Sequence, residues 1–214
     1  MMKSMWKIWY RGRRAALILI NDRNGVAAIE FAMIVPIMLV LFFGTVEFSS
    51  GIAVDRKVTL IARTFSDLVS QNTSVNDTNL SNFFSASCAI MSPYAGPPPC
   101  TPANNPTNAV ISELYVDPVS HKAIVQWSKA YQGGAVRTAG TAVTTVPTSL
   151  LVDKTYLIFS EVSYLYKPTV GYVMAKAGIN LSDVAYTRPR QLNCVVYPTP
   201  TSGALPNCPT KVTP

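Results

Sequence analysis

Between Val26 and Phe43 the chain runs eighteen residues with a single polar side chain, the carboxylate of Glu30. Such a run stands at the lower end of what crosses a hydrocarbon core of ~30 Å as a helix, and no other stretch of the sequence approaches it. An acid inside it either snorkels to the nearer edge or is kept there for a task, because holding it near the centre of a span costs at least about 2.5–3.5 kcal/mol. Everything else in the chain is arranged on one side or the other of this segment.

Charge orients it. The formal net charge is +7, and most of it sits before Val26, where Lys3, Lys7, Arg11, Arg13, Arg14 and Arg23 face only Asp22. A basic tip beside a membrane segment stays on the cytoplasmic side, so the remainder is expected to cross and no nucleic-acid partner is expected. All four cysteines, Cys88, Cys100, Cys194 and Cys208, then lie on the far side. Local pairs, Cys88 with Cys100 and Cys194 with Cys208, are the simplest of three connectivities and need an oxidising compartment. None of the spacings is CxxC, so zinc or redox chemistry is the weaker reading.

Residues 1–25 form a basic leader whose short apolar patch, Ala15 to Ile20, cannot span. The best small residue for a processing site, Gly25, comes before the long apolar run, unlike a secretory signal. Beyond the run, Val40, Gly44, Glu47, Gly51, Val54, Val58, Ile61, Phe65 and Leu68 follow alternating spacings of four and three. That is one helical stripe, with Asp55, Arg56, Lys57, Arg63, Asp67 and Ser70 off it. Residues 26–70 are therefore expected to make one helix, part in lipid and part amphipathic, bent at Pro36. Glu47, at the far edge of the span, is expected to be solvated, its place on the stripe leaving a partner contact open. Gly44 and Gly51 either admit a close helix neighbour or are ordinary glycines of a membrane helix.

Residues 71–214 read as a β-rich head. A polar cluster from Asn72 to Asn79 predicts a loop; Leu80, Phe83 and Phe84 predict a short helix capped by Asn79 or Ser81; residues 88–108, rich in Pro and Asn, predict an irregular loop. Val110 to Val116 and Lys122 to Lys129 predict a hairpin, with Ala123, Val125 and Trp127 on one buried face. Tyr156 to Pro168 is the longest strand candidate, and Gly171 to Tyr186 is ambiguous. The expected class is α+β: a long N-terminal membrane-spanning helix with a small disulfide-containing antiparallel β-rich head.

Catalysis finds little support. His121, the single histidine, falls in a predicted turn with a solvated side chain as the expectation. No Gly-x-Ser-x-Gly elbow and no phosphate loop occur, and Gly133-Gly134 reads as a turn. Tyr164, Tyr166 and Tyr172 read as a binding surface or, more commonly for such a pattern, as strand aromatics packed on their own core. The chain is expected not to be an enzyme and to use no cofactor or metal.

Gly25 and Glu30 acquire meaning together. A cut after Gly25 makes Val26 the first residue and Glu30 the fifth, and GVAAIEFAMIVPIMLVLFFGTVEF resembles the TadE-like branch of the tight-adherence (Tad/Flp) pilus system within the type IV pilin superfamily. The likeness rests on Gly25, Ala28, Glu30, Phe31, Ala32, Pro36, Gly44 and Glu47 and covers residues 24–50. It implies a minor pseudopilin of the bacterial inner membrane, cut by a prepilin peptidase at Gly25–Val26 and partnered by other pilin or pseudopilin subunits in assembling an adhesive pilus. The physical logic is that a free α-amino group at Val26 neutralises a neighbouring subunit's Glu30 in a low-dielectric bundle. The alternative is an envelope protein anchored permanently by the same helix, its head binding a ligand or pilus component without entering a filament.

Overall fold

The structure, a computed structural model, describes residues 25–96, 100–101, 105–168, 178–200 and 208. The leader up to residue 24, Tyr172 with the rest of 169–177, and most of the tail beyond residue 200 lie outside the described residues. By internal packing the chain divides into two units, one ending at Val46 and the other beginning at Glu47.

The first unit is the start of helix α1, Gly25–Ser70, which runs without interruption through Pro36. Its side chains from Gly25 to Val46 are exposed apart from half-buried Val35 and Gly44. A helix satisfies its own main-chain groups, which is what a segment in lipid requires. Thr45 follows the same economy, its hydroxyl donating to the Leu41 carbonyl at 2.8 Å.

In the second unit α1 turns amphipathic. Val54, Val58, Ile61 and Phe65 are buried as the stripe predicts, but at the next step the buried residue is Val69 while Leu68 is half-exposed. An α-helix advances 3.6 residues per turn, so a stripe written at 3.5 drifts by ~20° per heptad and passes to the next residue. The drift also buries Ser70, expected off the stripe; its hydroxyl donates to the Asp67 carbonyl at 2.7 Å.

Helix α2, Asp77–Met91, starts earlier than expected because Asn76 is its cap. The Asn79 N–H donates to Asn76 Oδ1 at 2.8 Å, and the Asn76 N–H to Asn79 Oδ1 at 3.2 Å. Asn79 is thus the inner partner of a capping box, not the cap. The helix continues through Cys88, so the irregular loop begins only after Met91. Lys57 Nζ caps the far end, donating to the Ile90 carbonyl at 2.7 Å and the Ser92 carbonyl at 2.8 Å.

The sheet contains β1 (Thr107–Val116), β2 (Ala123–Tyr131), β3 (Ala142–Val143), β4 (Tyr156–Tyr166) and β5 (Ile179–Thr187), antiparallel in the order β3-β2-β1-β4-β5. The ambiguous stretch before Tyr186 is therefore a strand from Ile179 onward. Opposite Glu113 and Leu114 stand Trp127 and Val125, leaving Gln126 as a bulge. The extra residue makes side chains of the same parity face opposite ways on its two sides. Ala123 and Val125 pack with Leu114, Val116, Leu157 and Phe159 on one face, whereas Trp127 joins the other, against Ile111, Ile158 and the α1 stripe. The single buried face expected for Ala123, Val125 and Trp127 is corrected accordingly.

Candidate functional site

The residues singled out for processing and assembly lie at the very start of α1. Gly25 is its first residue, with open space where a Cβ would stand. Val26 is 52% exposed and Glu30 is exposed one turn on, between Ile29 and Phe31, which are 62% and 68% exposed. A contiguous apolar sleeve with one carboxylate in it is what the isolated chain presents. Among the described residues α1 is the one helix long and apolar enough to cross a membrane.

At the base of the head polarity is reversed. Glu47 is only 4% exposed, against the expectation that it would be solvated, while Phe48 beside it is 62% exposed. The stripe carries the Glu47 carboxylate inward, where Tyr166 at the end of β4 donates its hydroxyl to Oε2 at 3.3 Å. Gly51 makes room for the same ring: a Cβ there would lie 3.7 Å from Tyr166 Cε1. The close neighbour of Gly51 is thus an aromatic ring of the head. Burial, and then the Glu47 charge, push the Tyr166 hydroxyl above its usual pKa.

A second carboxylate is buried deeper. Glu113 lies on β1, with Ala109, Ile111 and Tyr115, on the face turned toward the helices. Its Oε1 accepts the Val195 N–H at 2.5 Å, and the Trp127 indole donates to the Val195 carbonyl at 2.8 Å. Burial raises its pKa to about 8, opposed by the hydrogen bonds from Val195 and Trp127. The adjoining Tyr156 is raised to about 12, by burial first and the Glu113 charge second. Sequence reasoning missed Glu113, although the alternation of TNAVISELYV places it on the inward parity.

The cysteines form the two local pairs, Cys88–Cys100 and Cys194–Cys208. Cys194 is fully buried against Tyr115 and Tyr156, so the second pair fastens the C-terminal segment beside the Glu113 contact. His121 is exposed in the β1–β2 turn, with Nδ1 2.8 Å from Asp153 Oδ1. Tyr164 and Tyr166 are core residues. Gly134 is a packing glycine at the end of β2, since a Cβ there would fall 2.5 Å from the Ala109 carbonyl oxygen.

On the opposite face of the sheet a shallow groove of about 600 Å³ is bordered by Arg137 and Glu161. The two form a bidentate pair at 2.6 Å in both contacts, with the guanidinium 5.3 Å from the centre of the Phe159 ring. Each neutralises the other, and the bond raises the Arg137 pKa further.

Residues 25–64 match the family model described as TadE-like protein. The match lies wholly on α1, from Gly25 into the stripe that packs on the head, and includes Val26, Glu30, Glu47 and Gly51. No curated protein and no solved structure matches the chain.

Proposed function

We propose, taking residues 25–64 as a TadE-like segment, that the chain is a minor pseudopilin acting in the assembly of a Tad/Flp-type pilus and so in surface attachment. It is inserted in the bacterial inner membrane by α1, with the basic tip in the cytoplasm and the disulfide-closed head on the periplasmic side. A prepilin peptidase cuts between Gly25 and Val26. The new Val26 α-amino group and Glu30 then pair between neighbouring subunits, relieving the cost of a lone carboxylate in lipid and setting the register of one helix on the next. The head acts by contact and not by catalysis.

One observation carries this reading: the family match coincides with an exposed apolar helix that begins at Gly25 and holds one carboxylate at Glu30. The sleeve needs an apolar surrounding, and lipid and neighbouring pilin helices both supply one. Mass spectrometry of the mature amino terminus, in cells with and without a functional prepilin peptidase, is the test. Val26 as the first residue only when the peptidase is active is expected; a mature protein beginning at Met1 or Met2 overturns the cleavage. Recovery with sheared pili is expected for an incorporated subunit, and retention of all the protein in the membrane fraction argues for the permanently anchored form.

A further inference from the structure

At the foot of the head the ordinary distribution of polarity is inverted: the acid Glu47 is 4% exposed while Phe48 and Ile52, on the same two turns, are 62% and 42% exposed. The acid turns inward, with Tyr166 donating to Glu47, while Ser49 stays exposed. Apolar groups turn outward. Between them runs a groove of about 210 Å³ lined by Phe48, Gly51, Ile52, Tyr166, Ile179 and Leu181, with Asp55 as its one charged border. A surface meeting water arranges these groups the other way round.

Position along the helix identifies what the groove meets. Val26 to Val46 rises about 30 Å at ~1.5 Å per residue, which fills the hydrocarbon core. Phe48 and Ile52 then fall roughly 3–9 Å beyond it, in the headgroup layer, and Asp55 stands farther out toward water. Aromatic rings with a polar tip, as Tyr166 has, settle in that layer, and apolar side chains such as Phe48 and Ile52 dip from it toward the acyl chains. Lys167, exposed directly after Tyr166, supplies a cation at this end of β4.

We infer that the foot of the head is a lipid-binding surface: Phe48, Ile52 and the groove toward Leu181 take up the upper acyl and glycerol region of bilayer lipids, and Lys167 meets their phosphates. The inference rests on α1 spanning the membrane and goes beyond it, since a spanning helix alone leaves the head free in water. The head is thereby held against the bilayer until the subunit leaves it.

The test uses the full chain in vesicles of phosphatidylethanolamine and phosphatidylglycerol, with a benzophenone-bearing phenylalanine placed singly at Phe48, Ile52, Leu39 or Val119. Val119 is 87% exposed in the β1–β2 turn and serves as the water-facing position. After illumination, lipid adducts at positions 48 and 52 at least about tenfold above those at 119 are expected. Adducts at 48 and 52 that are predominantly to a second copy of the chain overturn the inference, as does the absence of adducts there. Lipid adducts at Leu39 without any at 48 and 52 reject the lipid surface and leave the spanning helix standing. No lipid adduct at Leu39 rejects both. Non-reducing electrophoresis establishes that each labelled protein keeps its disulfides.

Discussion

The Glu113 carboxylate receives the Val195 main-chain N–H at 2.5 Å, and the Trp127 indole N–H closes on the Val195 carbonyl at 2.8 Å. A strand residue and a residue 82 positions later are thus joined inside the protein, beside the buried Cys194. Burial of the Glu113 carboxyl, which the contact only partly offsets, makes the head sensitive to pH. Folded, the group titrates near pH 8; unfolded, near its ordinary 4.5. Between those values folding takes up a proton, so this contribution is fully present below pH 4.5 and is lost as pH rises through 8. The total is on the order of 5 kcal/mol at about 1.36 kcal/mol per unit. Urea denaturation of the full chain in detergent, disulfides intact, should therefore show stability falling from about pH 5 to about pH 8. Glu113→Gln should flatten that slope, and parallel slopes in the two proteins would refute the assignment.

Tyr166 and Glu47 form the corresponding contact at the foot of the head. Tyr166→Phe removes a donor from a buried carboxylate while keeping the ring against Gly51, and a loss of about 1–3 kcal/mol is expected. Protease resistance of the head at neutral pH reports it, and unchanged resistance would mean that the 3.3 Å bond contributes little.

Two glycines should answer oppositely to the same change. At Gly51 a Cβ meets Tyr166 at 3.7 Å, an ordinary contact, so Gly51→Ala is expected to be neutral or to gain up to about 1 kcal/mol from helix propensity. At Gly134 it would stand 2.5 Å from the Ala109 carbonyl oxygen, and Gly134→Ala should cost more than about 2 kcal/mol. Denaturation midpoints of the two variants, read against the parent, decide it; equal effects would count against the close approach of β1 to this turn.

How far these features are legible in the sequence depends on the range of the interaction. The α1 stripe is legible because Val54, Val58, Ile61 and Phe65 repeat locally, and it fails at Leu68 only when helical drift has accumulated. Strands β1 and β4 announce themselves by composition. The facing of Trp127 does not, because a bulge at Gln126 exists only in the pairing of β2 with β1 and leaves no trace in one strand alone. Asn76 and Asn79 are chemically alike and three apart, so either could cap until both ends of the box are seen. Glu47 depends on Tyr166, 119 residues away, and no local pattern reports such a partner.

The Cys194–Cys208 pair closes a separation of 14 residues next to Val195. Loop-closure entropy for a loop of that size is worth about 3 kcal/mol. The variant Cys194→Ala with Cys208→Ala should lose on that order, in the same region that Glu113 holds. Non-reducing peptide mapping of the parent should recover Cys194 with Cys208 and Cys88 with Cys100; a crossed linkage would overturn both the pairing and the expected loss.

Glu30 is the one polar side chain between Val26 and Phe43. In a single subunit its carboxylate costs a few kcal/mol wherever lipid surrounds it, and a cation brought into the same apolar layer relieves that. A neighbouring subunit's Val26 ammonium can be that cation, since both lie within the first turns of the same apolar sleeve and opposite charges attract strongly where water is excluded. On the proposed assembly, removing the acid removes both a penalty and a registration mark. Glu30→Ala should insert and be cut at Gly25–Val26 as before, because the cut site is unchanged. It should nevertheless enter pili poorly, while Glu30→Asp, which keeps the charge on a shorter arm, should recover part of the lost assembly. Piliation and the mature amino terminus, measured on the same cells, separate the two steps. Normal piliation with Glu30→Ala would remove the assembly role from this residue, and uncut Glu30→Ala would move its role to recognition by the peptidase.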